Sequence, residues 1–138
     1  MKRSHALLGI ASIVMLIAIF LFAWPYILVG APSSLFSISN NDSNEHKVAI
    51  EVFDSNNESV FKQTYELAPE ASVWQPKSTW LLLQLYIPPG NSIEWTFKAT
   101  LDDKITDIRQ IKLHPWTTAD VLLYYDAENP IFITVSTV

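Results

Sequence analysis

The stretch "IEWTFKATL", Ile93–Leu101, carries the most regular pattern in this chain of 138 residues. Ile93, Trp95, Phe97, Ala99 and Leu101 alternate with Glu94, Thr96, Lys98 and Thr100. Successive side chains of a strand point to opposite faces, so a period of two predicts a strand with one face in a core and one toward water. The apolar face needs a second layer to cover it, which points to packed sheets.

Outward from this strand the same signature recurs. Leu35 to Ile38 alternates, and the polar turn "SNNDSNE" (residues 39–45) follows. Val48, Ile50 and Val52 share a face, and "DSNNES" (residues 54–59) closes a hairpin onto Phe61, Tyr65 and Leu67. Ile105–Leu113 predicts a further strand whose apolar parity shifts between Ile105 and Ile108, the mark of a bulge. Residues 121–125 and 131–135 are joined by a polar turn, while Trp74 and Trp116 fall in turn-like stretches beside prolines. No amphipathic helix of ten or more residues is expected after residue 30. Seven or eight short strands, with turns every dozen residues or so, predict an all-β antiparallel sandwich.

The segment "WLLLQLY" (residues 80–86) precedes the turn signal Pro88-Pro89-Gly90. Paired with Ile93–Leu101 through a five-residue loop, it would bring Leu85 to Trp95 and Leu83 to Phe97. Leu81, Leu83, Leu85 and Ile87 then enter the core, and Gln84 faces outward. A slip of one residue would invert every side chain, so burial selects this register. Trp80, Leu82 and Tyr86 remain on the outer face as a contact patch, which Trp74 and Trp116 extend.

"HKVAIEVFDSNNESVFKQTYELAPEAS" (residues 46–72) is an alternating strand, an Asp/Asn turn, a second strand with an aromatic, and a Leu-x-Pro-x-x-Ser turn. It resembles a hairpin of prokaryotic extracytoplasmic Ig-like domains, in the style of adhesion-type modules of archaeal surface proteins. Those modules usually carry Gly where this chain has Glu70. The resemblance implies an Ig-like sandwich on the outside of a cell.

The first thirty residues differ from the rest. After Lys2, Arg3 and His5, no charged side chain appears until Asp42. The run from Ala6 to Val29 has about the roughly 20 apolar residues needed to cross a bilayer as a helix, and it is apolar on all sides. It exceeds the roughly 7–15 residues of a signal-peptide core, and a cut after Ala31 would leave Pro32 first, so an uncleaved anchor is expected. Lys2 and Arg3 place the N-terminus in the cytoplasm at the plasma membrane, and Trp24 and Tyr26 fit an interfacial belt. The expected division is thus residues 1–30, a cytoplasmic tip and transmembrane helix, and residues 31–138, an extracytoplasmic domain tethered close to the bilayer.

That outer part has seven Lys and Arg against fourteen Asp and Glu, a net −7, which is no footprint for nucleic acid. Without cysteine there is no disulfide, thiolate chemistry or Cys-ligated zinc. With glycine only at Gly9, Gly30 and Gly90, no phosphate-cradling loop is expected. His46 and His114 could hold a metal only by converging with a carboxylate such as Glu45 or Asp120, and their spacing does not suggest it. The two Asp-Ser-Asn stretches read as turns rather than calcium loops. Asp102, Asp103 and Asp107 read as a solvated turn and strand edge rather than catalytic carboxylates. Asn41 and Asn57 head N-glycosylation sequons in turns. The expectation is a non-enzymatic interaction module without cofactor or metal, an accessory subunit of a membrane or envelope complex with a protein partner. The alternative is a glycan-binding module using exposed tryptophans.

Overall fold

Alternating strands become two sheets in the computed structural model, which describes residues 2–29, 31–86, 92–126 and 128–138. In chain order the elements are α1 (Lys2–Val29), β1 (Phe36–Asn40), β2 (His46–Phe53), β3 (Ser59–Leu67), β4 (Ser72–Gln75), α2 (Thr79–Tyr86), β5 (Ile93–Leu101), β6 (Ile105–Leu113), β7 (Thr117–Leu123) and β8 (Ile131–Thr137). The chain forms two compact units, Met1–Pro32 and Ser33–Val138.

The first unit is α1, a 28-residue helix. Its described side chains are those of residues 7–21 and 23. The large apolar ones among them, from Leu7 to Leu21, are all more than half exposed. They include five in succession, Ile13 to Ile17, which at about 100° per residue cover the whole circumference. Among the described residues no helix is long and apolar enough to cross a membrane; the described side chains span a shorter stretch than the helical backbone.

The second unit is a sandwich of two four-stranded sheets, ordered β4-β1-β7-β8 and β3-β2-β5-β6. Strand β5 behaves as its alternation requires over its second half: Phe97, Ala99 and Leu101 are at most 1% exposed. Val48, Ile50 and Val52 of β2 lie beside them in register, opposite Leu101, Ala99 and Phe97. The other sheet answers with Phe36, Ile38, Ala119, Val121 and Leu123, all buried in the same core. Phe36 joins the layers, meeting Phe61 edge-on at 5.4 Å and Tyr65 at 6.2 Å. Burying each of the larger side chains contributes about 1.5–3 kcal/mol.

Four expectations are corrected. The expected strand at residues 80–87 is the helix α2, because both edges of β5 are taken by β2 and β6 and none is left for it. Ser78 starts the helix, its Oγ accepting the Leu81 amide at 3.2 Å, as an N-cap does. Helical spacing then buries Leu81 and Leu85, leaves Leu83 39% exposed, and turns Gln84 outward. Ile87 and the expected Pro88-Pro89-Gly90 turn lie outside the described residues. Trp74, expected in a turn-like stretch, lies on the short edge strand β4. The β5–β6 ladder runs without a break from Ile93↔Leu113 to Leu101↔Ile105, so there is no bulge at residues 105–108. The parity shift arises because Asp107 occupies an inward position, where its Oδ2 accepts the Ile133 amide of edge strand β8 at 2.8 Å. Finally, β1 pairs with β7 in parallel, so the sandwich is not wholly antiparallel. No hairpin joins these two strands, and β2 to β6 intervene, leaving their relative direction free of a turn's constraint.

Two loops show why their residues were chosen. Buried Asn40 donates its amide to Asn44 O, Leu67 O and Ala68 O and accepts the Asp42 amide, tying the β1–β2 and β3–β4 loops together. The β3–β4 turn closes with the Ala71 amide on Ala68 O. Pro69 is its second residue and Glu70, with φ 57°, its third.

Candidate functional site

The side chains that converge on an open space lie at the end of the sandwich where β2 passes into β3. Asp54 shapes that turn: Oδ1 accepts the amides of Asn56 at 2.8 Å and Glu58 at 3.0 Å. Its main chain exchanges bonds with Glu58 and Asn57. Asn57 adopts φ 62°, which asparagine tolerates better than most residues. Ser55 Oγ donates to Glu94 O at 3.0 Å and fastens the turn to the start of β5.

The facing wall is the end of β4 and the first turns of α2, with Gln75, Ser78, Trp80 and Gln84 on it. Phe61, Ile93, Trp95 and Leu81 supply apolar lining between the walls. The space is a cleft of about 470 Å³, within the roughly 300–1,000 Å³ usual for small-molecule sites. Asp54 is the one charged side chain lining it among the described residues. Tyr65 donates to Gln75 Oε1 at 3.4 Å, and Gln75 lines the cleft.

The residues singled out as a contact patch do not share one environment. Trp80 is 70% exposed and lines the cleft, while Trp74 is 66% exposed on β4 and does not. Leu82 is half-buried. Tyr86 and Trp116 are also half-buried and pack edge-on, with ring centroids 6.1 Å apart. The Trp116 indole nitrogen is buried without a hydrogen-bond partner among the described residues. Asn41 and Asn57 are both exposed, but the Asn41 amide donates to Leu123 O at 3.1 Å. Trp95, assigned to the core, is only partly buried and reaches the cleft beside the Asp54 turn. No local pattern signals that pairing, since 39 to 41 residues separate Trp95 from Asp54, Ser55 and Asn56 and only the fold of β2 beside β5 unites them.

A second polar cluster lies at the far end of β2, roughly 23 Å away at about 3.3 Å per residue. His46, read from sequence as exposed or half-buried, is buried there. Its Nε2 lies 2.8 Å from Asp42 Oδ2, its Nδ1 2.8 Å from Asp102 Oδ2, and its ring lies against Tyr124. Burial of the ring opposes the proton, yet the hydrogen bonds to both carboxylates outweigh it and raise the His46 pKa. The His46 bond, with those from Asn44 and the Ser43 amide, holds Asp42 down to about 2. Asp102 is lowered too: burial resists, but the Lys47 amide and His46 prevail. With both ring nitrogens committed to carboxylates, this cluster is a clamp between loops. His114 is exposed and takes no part. Asp103 faces Lys47 at 2.9 Å on the surface.

Lys77, just before α2, is also buried. Its Nζ donates to Ser33 O, Ser34 O and Thr117 O at 2.7–2.9 Å, and burial lowers its pKa to about 8. It fastens the start of β1 to the start of β7.

No protein-family model, characterised protein or solved structure matches this chain.

Proposed function

We propose that the chain is a membrane-anchored, extracytoplasmic interaction module: α1 holds an Ig-like β-sandwich outside the cell, and the sandwich binds rather than catalyses. The observation that carries this reading is α1 itself, whose exposed apolar side chains cover every side of the helix. In water such a surface is costly, at about 25 cal/mol per Å² of apolar area, and lipid removes the cost. Lys2 and Arg3 in its first turn and the acidic domain after it favour the N-in orientation. The outer domain acts as an accessory subunit to a protein neighbour in the membrane or envelope, with the short tether favouring partners near the bilayer.

The test is fractionation of the full-length chain in its host membrane. It should resist alkaline carbonate, dissolve in detergent, and lose the sandwich but not the N-terminal tip to protease added outside intact cells. Release by carbonate would remove the anchor. Crosslinking before detergent extraction, followed by mass spectrometry, should recover one stoichiometric partner.

A second reading, glycan binding, is favoured by a separate observation. Trp80 is exposed and lines a cleft together with hydrogen-bonding side chains.

A further inference from the structure

We infer that the cleft between the Asp54 turn and α2 is a carbohydrate site, sized for one or two pyranose rings, with Trp80 as its stacking platform. The inference rests on reading the outer domain as a binding module and names the ligand class of one site on it.

The lining has the two chemistries a sugar presents. A pyranose offers a patch of C–H bonds on its face and hydroxyls around its edge, each both donor and acceptor. Trp80 supplies a large exposed indole for the first, and Trp95 and Phe61 extend the apolar surface. Asp54, Asn56 and Gln75 supply planar polar groups for the second: a carboxylate that accepts and amide groups that can do both. Small-molecule sites generally combine apolar walls with a few placed polar groups.

Other ligand classes fit less well. A phosphate or carboxylate ligand needs a cation, and no Lys, Arg or His lines the cleft among the described residues. A wholly apolar ligand would strip water from Asp54 without replacing its bonds. A quaternary ammonium could use the rings but has no donor or acceptor to meet Asn56 and Gln75. Here one oxygen of the carboxylate is already taken by two backbone amides, which weakens its pull on a cation. The walls are also held before a ligand arrives, by the Ser55 bond to Glu94 and the Ser78 cap on α2. Such preorganisation reduces the entropy lost on binding.

The experiment uses the full chain in detergent or nanodiscs. A panel of soluble neutral oligosaccharides, and vesicles carrying a glycolipid with a neutral sugar head, are screened by tryptophan fluorescence and calorimetry. Binding to either source supports the site, and the arm that responds says whether the sugar is free or lipid-borne. Trp80→Ala should weaken binding by roughly tenfold or more, as loss of a central aromatic anchor does, and Asn56→Ala and Asp54→Asn should weaken it less. Trp74→Ala, outside the cleft, should leave it unchanged, and thermal melts check that each variant is folded. No response from any sugar, a response indifferent to Trp80→Ala, or binding confined to cationic or peptide ligands would overturn the inference. Those results would leave the carbonate, protease and crosslinking outcomes untouched, so failure of the site and failure of the anchored-module reading are separable.

Discussion

His46 and Asp102 meet at 2.8 Å, Nδ1 to Oδ2, although 56 residues separate them in the chain. With Asp42 on the other ring nitrogen, the imidazole bridges the β1–β2 and β5–β6 loops. Both nitrogens can donate only when the ring is protonated. The raised His46 pKa means that its contribution is complete below about 6.5 and is lost as pH climbs through the higher folded value. Asp42 works in the opposite sense: its contribution is present above 3.8 and lost as pH falls toward about 2. The clamp is therefore strongest between about pH 4 and 6.5. His46→Gln should cost about 1–3 kcal/mol in that window, with the gap to wild type narrowing at alkaline pH. Urea denaturation at several pH values would show it. A gap independent of pH would mean that the ring acts by packing on Tyr124 alone.

Substitutions along α2 distinguish helical from strand packing. Leu81→Ala and Leu85→Ala should each cost about 2–5 kcal/mol, because they empty sites at most 2% exposed. Leu83→Ala should cost under about 1 kcal/mol, since Leu83 is partly in water. In a strand, residues 81, 83 and 85 would share a face and all three changes would be severe. Denaturation midpoints of the three variants suffice.

The contrast between β5 and α2 shows what the sequence could and could not express. In β5 the alternation of five apolar and four polar residues admits one reading, and burial follows it. The segment "WLLLQLY" is apolar at nearly every position, so neither a period of two nor one of 3.6 stands out. Local signs of a helix were present: Ser78 in the capping position, leucine and glutamine as good helix formers, and no β-branched residue from Trp80 to Tyr86. What excludes a strand is that both edges of β5 are occupied, and that is a property of the whole topology. The clamp was hidden for a similar reason, since it joins loops distant in sequence. Asp107 was visible only as a break in apolar parity, which has the same appearance as a bulge.

Glu70 sits at φ 57° behind Pro69, in a turn position that favours glycine. A residue with a Cβ pays roughly 1 kcal/mol there. Glycine relieves that strain but adds freedom to the unfolded chain, which returns part of the gain. Glu70→Gly should therefore raise stability by about 0.5 kcal/mol, and Glu70→Val, β-branched, should lower it. A melting temperature unchanged in both would show that the turn relaxes to accommodate either.

Edge protection by Asp107 gives a further test. Its carboxylate accepts the Ile133 amide, while Arg109 two residues on lies over the Phe132 ring at 5.7 Å. Asp107→Ala leaves that amide without its acceptor, at a cost of about 1–3 kcal/mol. Amide hydrogen exchange at Ile133 should accelerate more than at Val121 in neighbouring β7. Uniform acceleration would indicate global destabilisation instead of a freed edge.

Lys77 makes the alkaline limb more than a record of His46. Burial lowers its pKa from 10.5 to about 8, so between those values the unfolded chain binds more protons than the folded one. Stability contributed at this site therefore rises with pH across that window, opposite in sign to the loss at His46. Lys77→Met removes the donor to Ser33 O, Ser34 O and Thr117 O, and should cost about 1–3 kcal/mol at neutral pH. The cost should grow between pH 8 and 10, because only the wild type gains there. The rise due to Lys77 should persist in His46→Gln, which leaves the Lys77 contacts in place. Parallel stability curves for wild type and Lys77→Met across pH 8–10 would show that the ammonium reaches water freely and that burial does not lower its pKa.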